Sequence, residues 1–247
     1  MTGVLALLAL VVLAPLAAED AWRLECTTRR TLGIGHSVRV TADLAGTHLA
    51  LRVAILLPGR FRARAFAAGP AGDAFAAARA EPGVLVALNG GYFDRDRRPL
   101  GRLVVDGVEL AASARQAPLS GLAWTDGDHL HLAPADAAVG ATHAVQAGPF
   151  LIDPGGGFGI RRPGGPVAAR SALAVTRNGT VLAVITTPTN LHAFASVLQA
   201  LPAVLDLPPL DAALNLDGGP STGLVIQEEE AVEPRGFVVS AWGFSAL

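Results

Sequence analysis

The stretch Ala172-Leu-Ala-Val-Thr176, Arg177-Asn178-Gly179-Thr180, Val181-Leu-Ala-Val-Ile185 reads as two apolar strands joined at an Asn-Gly pair. Asn-Gly supplies the positive φ angles that a two-residue hairpin turn needs. Two further segments repeat the pattern. Asp106-Gly107 lies between Leu103-Val-Val105 and Val108-Glu-Leu110, and Asp126-Gly127 lies between Leu122-Ala-Trp124 and His129-Leu-His131. Three antiparallel hairpins speak against a doubly wound parallel sheet, in which helices would alternate with strands. Helices are correspondingly few. Pro70 to Glu81 is Ala-rich and stops at Pro82-Gly83. Asn190 to Leu201 sets Leu191, Phe194, Leu198 and Leu201 at helical spacing, so one face packs onto a sheet. A third helix is expected over part of Ala141 to Gln146. The fold class is α+β: a single domain, mostly antiparallel sheet with a few packed helices.

Composition bounds the chemistry. All nineteen basic residues are arginine, and the chain holds no lysine. Schiff-base catalysis, a P-loop and a Ser-Lys nucleophile pair are therefore excluded, and an anion must be held by arginine and backbone N–H groups. A net charge of −2 gives no electrostatic support to nucleic-acid binding. The one cysteine, Cys26, cannot close an internal disulfide. Near the N-terminus, Val4 to Leu16 is an uncharged run of thirteen residues followed by Ala17-Ala18. That is too short for a bilayer core of roughly 30 Å and suits a signal peptide over 1–18, cleaved after Ala18. An uncleaved tether and a buried helix are the other readings. Residues 19–247 then form one exported domain, periplasmic or extracellular, with no stable membrane span after signal removal.

Two strand ends carry the chemistry. Val84-Leu-Val-Ala-Leu88 runs into Asn89-Gly90-Gly91, and Ala212-Ala-Leu214 runs into Asn215-Leu216-Asp217-Gly218-Gly219-Pro220-Ser221-Thr222. A turn needs one glycine; two beside an acid at a strand end would let a substrate approach bare main chain. Asp217 alone also reads as a turn aspartate bonding its own backbone. Arg170 opens a strand and follows Asp153 to Pro166, which holds six glycines and three prolines in fourteen residues. That segment is a loop, mobile or covering a site. The Arg170 guanidinium could reach a phosphate over the glycine floor, although a surface arginine is the plainer reading.

Other patterns carry less. Gly219-Pro-Ser221-Thr-Gly223 matches a nucleophile elbow by letter, but Leu224-Val-Ile226 after it reads as a strand where an elbow needs a helix. His129 and His131 share a strand face without an evident third metal ligand and read as solvent-facing. Arg60, Arg62 and Arg64 alternate with Phe61, Ala63 and Ala65 as the wet face of a strand, and Glu228 to Glu230 read as a solvated loop. No metal cluster and no cofactor pattern is recognised.

Taken together, the chain resembles the phosphodiester glycosidase family over roughly residues 45–245. The resemblance rests, in order, on Asn89-Gly-Gly-Tyr-Phe-Asp94, Pro99-Leu-Gly101, Val105-Asp-Gly107, Gln146-Ala-Gly-Pro149, Ala169-Arg-Ser-Ala-Leu173 with Asn178-Gly179, and Asn215-Leu-Asp-Gly-Gly219 with Ser221-Thr222. It implies a compact α+β domain whose site gathers the Asn-Gly-Gly and Asp-Gly-Gly segments. Carried over by position, the site residues are Asn89, Gly90, Gly91, Arg170, Asn215, Asp217, Gly218, Gly219, Ser221 and Thr222, with Gln146 as a weaker member. One departure is Pro220, where a further glycine often stands; proline removes an N–H there.

The implied reaction releases a sugar from a sugar-1-phosphodiester through an oxocarbenium-like state. A phosphate leaving group departs with little need of a proton donor, which fits a site with one prominent acid. Asp217 is then the nucleophile or the base. Arg170 and the amides of Gly90, Gly91, Gly218 and Gly219 would hold the phosphate. Asn89 and Asn215 would bond sugar hydroxyls or orient Asp217, and Ser221 or Thr222 would fix its carboxylate. The rivals are a non-catalytic module binding an envelope glycan on the same floor and a metal-assisted phosphodiesterase cutting the P–O bond.

Overall fold

In a computed structural model, residues 21–69, 72–127 and 129–247 are described, so the expected signal peptide lies outside the described residues. Along the chain, β1 (Arg23–Leu32), β2 (Gly35–Leu44), β3 (Thr47–Leu56) and β4 (Phe61–Ala67) lead into helix α1 (Ala74–Ala80). There follow β5 (Val84–Asn89), β6 (Leu103–Val105), β7 (Val108–Ala111), β8 (Gly121–Thr125), β9 (Leu130–Pro134) and β10 (His143–Ala147). Then come β11 (Phe150–Asp153), β12 (Gly157–Phe158), β13 (Ala168–Thr176), β14 (Val181–Thr189) and helix α2 (Leu191–Leu205). The chain closes with β15 (Leu210–Asn215), a 3-10 turn over Gly219–Ser221, β16 (Leu224–Ile226) and β17 (Ser240–Ala246).

These strands form one sheet of eight, ordered β1-β2-β3-β14-β13-β15-β11-β12, one of five, β7-β6-β10-β8-β9, and one of four, β16-β5-β17-β4. Every pairing is antiparallel. The period of two along β13 divides the interior. Leu173 points into a core shared with Leu88 of β5, Val145 of β10 and Trp242 of β17. Ala172 and Ala174 point the other way, into a core with Phe194, Leu198 and Leu201 of α2. The eight-stranded sheet is therefore sandwiched between α2 and the two smaller sheets. Helix α1 in turn covers Ala87 and Ala241 on the outer face of the four-stranded sheet.

The hairpin at Asp106-Gly107 has positive φ at both residues, as a tight two-residue turn requires. At Asn178-Gly179 only Gly179 is positive, and Thr176 and Thr180 close a longer loop by backbone bonds. Both expected helices form. Asp73 caps α1 by accepting from Ala76 N–H (2.8 Å), and Asn190 caps α2 by accepting from Ala193 N–H (2.9 Å). α2 runs past the expected end at Leu201 through Pro202 to Leu205, because buried Leu205 adds to the core that holds the helix. It stops at Asp206 in the left-handed region, whose N–H and that of Leu207 both donate to Pro202 O.

The helix expected within Ala141 to Gln146 is instead strand β10. All five of its residues are buried at the centre of a sheet, so its sequence lacks the alternation that marks a one-sided strand. The glycine-rich segment holds the short strand β12, and Phe158 and Ile160 pack toward α2 while residues 161–167 are exposed. Glu228 to Glu230 form more than a solvated loop. Glu229 pairs with Arg52 at 3.3 Å, with side-chain exposures of 13% and 14%, and accepts from Ser37.

Candidate active site

The site lies where the end of β5, in the four-stranded sheet, meets the end of β15, in the eight-stranded sheet. β5 delivers Asn89 and β15 delivers Asn215, while β13 passes between them carrying Arg170 and Ser171. The two glycine-bearing strand ends are bonded to each other. Asp217 N–H donates to Gly90 O (3.0 Å), and Asn89 Nδ2 donates to Asp217 O (2.7 Å). Asn89 is fully buried, and its Oδ1 accepts from Ser171 Oγ (2.7 Å) and Gly223 N–H (3.1 Å). One amide thus ties β5, β13 and the residue before β16 to the Asp217 backbone.

Asp217 is partly open. Its Oδ1 accepts from the Gly218 N–H at 2.9 Å, and the nearby Ser221 hydroxyl favours the charged carboxylate. Burial raises its pKa above the ordinary aspartate value; the bonds from Ser221 and Gly218 oppose that rise. Tyr92, unremarked in the sequence beyond its place in the Asn-Gly-Gly motif, belongs to the same cluster. Its hydroxyl donates to Gly148 O (2.6 Å) and accepts from Asn215 Nδ2 (2.6 Å). Burial and the nearby Asp217 charge push the Tyr92 pKa up to about 12, with Arg170 and the Asn215 bond acting in the opposite direction. Asn215 also donates to Gly148 O and Leu216 O, while its Oδ1 is buried without a partner among the described residues.

Arg170 is half-buried and held by two backbone carbonyls: Nε donates to Thr189 O (2.9 Å), and Nη2 donates to Pro166 O. The second bond anchors the exposed end of the glycine-rich segment. Burial lowers its pKa and Tyr92 opposes that, but a guanidinium remains charged at neutral pH. Arg170 and Asp217 form no direct ion pair, yet the charges of both reach Tyr92.

The glycines do something other than expected. Gly90 and Gly91 donate their N–H groups to Ser240 O (2.7 Å) and Ser240 Oγ (2.9 Å), and Gly218 donates to Asp217. Three of the four expected phosphate-holding amides are therefore occupied within the protein. A Cβ on Gly90 would stand 2.5 Å from Ser240 Oγ, on Gly91 2.6 Å from Gln146 O, and on Gly218 2.7 Å from Ala169 O. These residues let the strands approach each other. Gly219 alone is open, with φ of +59° and nothing within 4 Å of the place a Cβ would occupy.

Gln146 is engaged elsewhere. Its Oε1 accepts from Arg102 and Ala114 N–H, and its Nε2 donates to Ala114 O and Leu119 O. It fixes the 113–119 loop and has no free polar atom to offer a ligand. Thr222 is buried, and its Oγ1 has no partner among the described residues. Ser221 sits on the 3-10 turn and strand β16 follows, so the nucleophile-elbow geometry is absent, as expected. His131 stacks on Trp124 at 4.5 Å, and among the described residues no three His, Cys, Asp or Glu side chains gather as a metal site. Of the two serines that set the Asn-Gly-Gly segment, Ser240 stands in no pattern that marks it, and Ser171 lies within the Ala169 to Leu173 segment without a role assigned to it there.

Against known proteins, the profile of the phosphodiester glycosidase family matches residues 82–240. Among solved structures, a hypothetical protein from Synechocystis aligns with a TM-score of 0.60 at 18% identity, covering 86% of this chain. This chain spans 62% of that protein's length. The catalytic domain of zebrafish N-acetylglucosamine-1-phosphodiester alpha-N-acetylglucosaminidase, auto-inhibited by its pro-peptide, gives 0.60 at 16% identity, covering 91% of this chain and 82% of its own. A protein described as exported, from Burkholderia pseudomallei, gives 0.52 at 15% identity, covering 93% of this chain and 87% of its own. No curated protein matches.

Proposed function

Because the chain belongs to the phosphodiester glycosidase family, we propose that it hydrolyses the glycosidic C–O bond of a sugar-1-phosphodiester. Water adds to the sugar carbon, the C1–O bond breaks, and the phosphomonoester leaves with the bonding electron pair. The observation that carries this reading is the placement of Asp217. It is a half-buried carboxylate with a raised pKa, bonded by the Gly218 N–H, within electrostatic reach of Tyr92, which the Arg170 charge also reaches.

In this reading Asp217 is the nucleophile or the base that activates water. Arg170 holds the phosphate through Nη1, the guanidinium nitrogen left free by Thr189 and Pro166. The Gly219 amide is the one glycine N–H of the four still available. Asn89 acts as a positioning residue, since its bonds go to the Asp217 backbone, Ser171 and Gly223. Asn215 and Tyr92 set the opposite wall. A phosphate leaving group needs little protonation, so a Tyr92 hydroxyl that stays protonated at neutral pH need not serve as an acid. We extend the reading to an exported protein acting on a glycan or sugar phosphodiester. No helix of the described residues is long and apolar enough to cross a membrane.

The test is hydrolysis of sugar-1-phosphodiesters, N-acetylglucosamine derivatives among them, with free sugar and phosphate products followed separately. Release of free sugar with an intact phosphomonoester, with the oxygen of water in the sugar, supports the assignment. Release of sugar 1-phosphate would place cleavage at the P–O bond instead and remove it.

A further inference from the structure

The segment Asp217-Gly218-Gly219 crosses over Ala169-Arg170 so closely that a Cβ on Gly218 would stand 2.7 Å from Ala169 O. On one side of the crossing lie Asp217 and Arg170. On the other lie Gly219 and Ala169, and these two border an open cavity of about 530 Å³. Two Cα–Cα steps separate Asp217 from Gly219, so the cavity wall begins within about 7 Å of the carboxylate's own backbone. That is within the reach of one substrate that straddles the crossing.

The lining is mainly apolar: Ala50, Ala169 and Ile185 come from neighbouring strands of the large sheet, faced by Pro220 and Val232. Its charges are mostly neutralised. Arg52 pairs with Glu229, and Glu233 pairs with Arg79. Arg235 is exposed and has no acidic partner among the described residues, so the one unneutralised charge in the lining is positive. An apolar slot with a cationic mouth suits a molecule that is anionic where it meets the site and apolar beyond it.

We propose that this cavity is the aglycone subsite, and that it selects phosphodiesters whose aglycone is an alkyl or aryl group over those with a polyol. The proposal rests on the activity proposed above: with the phosphate between Arg170 and Asp217, the group on its far ester oxygen passes Gly219 into the slot. The aglycone carbons lie against Ala50, Ala169 and Ile185, and burial of each additional methylene adds to binding.

The experiment compares N-acetylglucosamine 1-phosphodiesters carrying methyl, n-hexyl and glyceryl aglycones, in the wild type and in Ala50→Leu, which fills the slot from an exposed position. The expected result is a hexyl-to-methyl ratio of kcat/KM of about tenfold or more in the wild type, falling toward one in the variant, with glyceryl close to methyl. Equal ratios for all three, or glyceryl preferred over hexyl, would overturn the proposal. If none of the three is turned over, the proposed activity fails for N-acetylglucosamine phosphodiesters, separately from the cavity. Calorimetry with hexyl phosphate and methyl phosphate then decides the cavity alone. Tighter binding of hexyl phosphate that Ala50→Leu removes supports an apolar-group site; equal binding of the two overturns it.

Discussion

Asp217 is held in a setting that disfavours its charge, and this has consequences for rate and for stability. Asp217→Asn keeps the shape and the acceptor for Gly218 N–H, and it is expected to lower turnover by about 10²–10³ or more. The stability effect has the opposite sign. A carboxyl whose folded pKa is raised binds its proton more tightly in the native state, so stability falls as pH rises from the ordinary aspartate range through the raised value. Asp217→Asn should therefore melt higher than the wild type at neutral pH, with the gap closing near pH ~3, where both states are protonated. Thermal melts at the two pH values check this, and a variant that melts lower at neutral pH contradicts it. Thr222 offers a second test of a lone atom. Its Oγ1 is buried without a partner among the described residues, so Thr222→Val should stabilise by about 1 kcal/mol in denaturant unfolding. At this scale the sequence marks Asn89 and Asp217 as special, because an amide or acid beside paired glycines at a strand end is an uncommon way to finish a strand. It does not reveal why the glycines are there. Whether a bare backbone faces a substrate or another strand depends on Ser240 and Ala169, which lie far away in the chain.

Elements explain why the glycines tolerate so little change. Gly218→Ala sets a Cβ against the backbone carbonyl of Ala169, which cannot rotate aside, and should cost about 1–3 kcal/mol or more. Gly219→Ala meets open space but must hold φ at +59°, a left-handed conformation that costs about 1–2 kcal/mol. Paired denaturant curves measure the two costs, and turnover beside them separates the mechanisms, because only the first should also displace β13 and with it Arg170. Hairpins and helices are legible wherever a local rule decides them: Asp106-Gly107 by its turn residues, α1 by its Ala-rich run before Pro82-Gly83, α2 by apolar residues at helical spacing. β10 escapes such rules because all five of its side chains are buried, which erases the period that separates strand from helix. The end of α2 lies beyond Leu201, and the helix carries Pro202, which ordinarily disfavours a helix interior. Burial of Leu205 below it overrides that local preference.

On the scale of the whole molecule, the candidate site forms where the ends of β5 and β15, from two sheets that share a core, are bonded to each other. That meeting depends on pairings no local pattern encodes, such as β14 against β3 and β15 between β13 and β11. The Glu228 to Glu230 segment shows the same limit: a run of acids reads as solvated, yet Glu229 docks on Arg52 and Ser37 across the large sheet. Glu229→Gln should destabilise by about 1–3 kcal/mol, since Arg52 would keep a mostly buried charge without its counter-ion. Antiparallel sheet, few helices and a single domain are legible, since turn chemistry and burial period act locally. Strand order is not, because it is decided by contacts between distant segments. The central claim joins these scales: a carboxylate at the junction of two sheets breaks a sugar–phosphate C–O bond. Its most direct measurement is hydrolysis of a sugar-1-phosphodiester in ¹⁸O-labelled water, with the label located in the products. Label in the released sugar, with that release lost in Asp217→Asn, is the predicted result; label in the phosphate would contradict it.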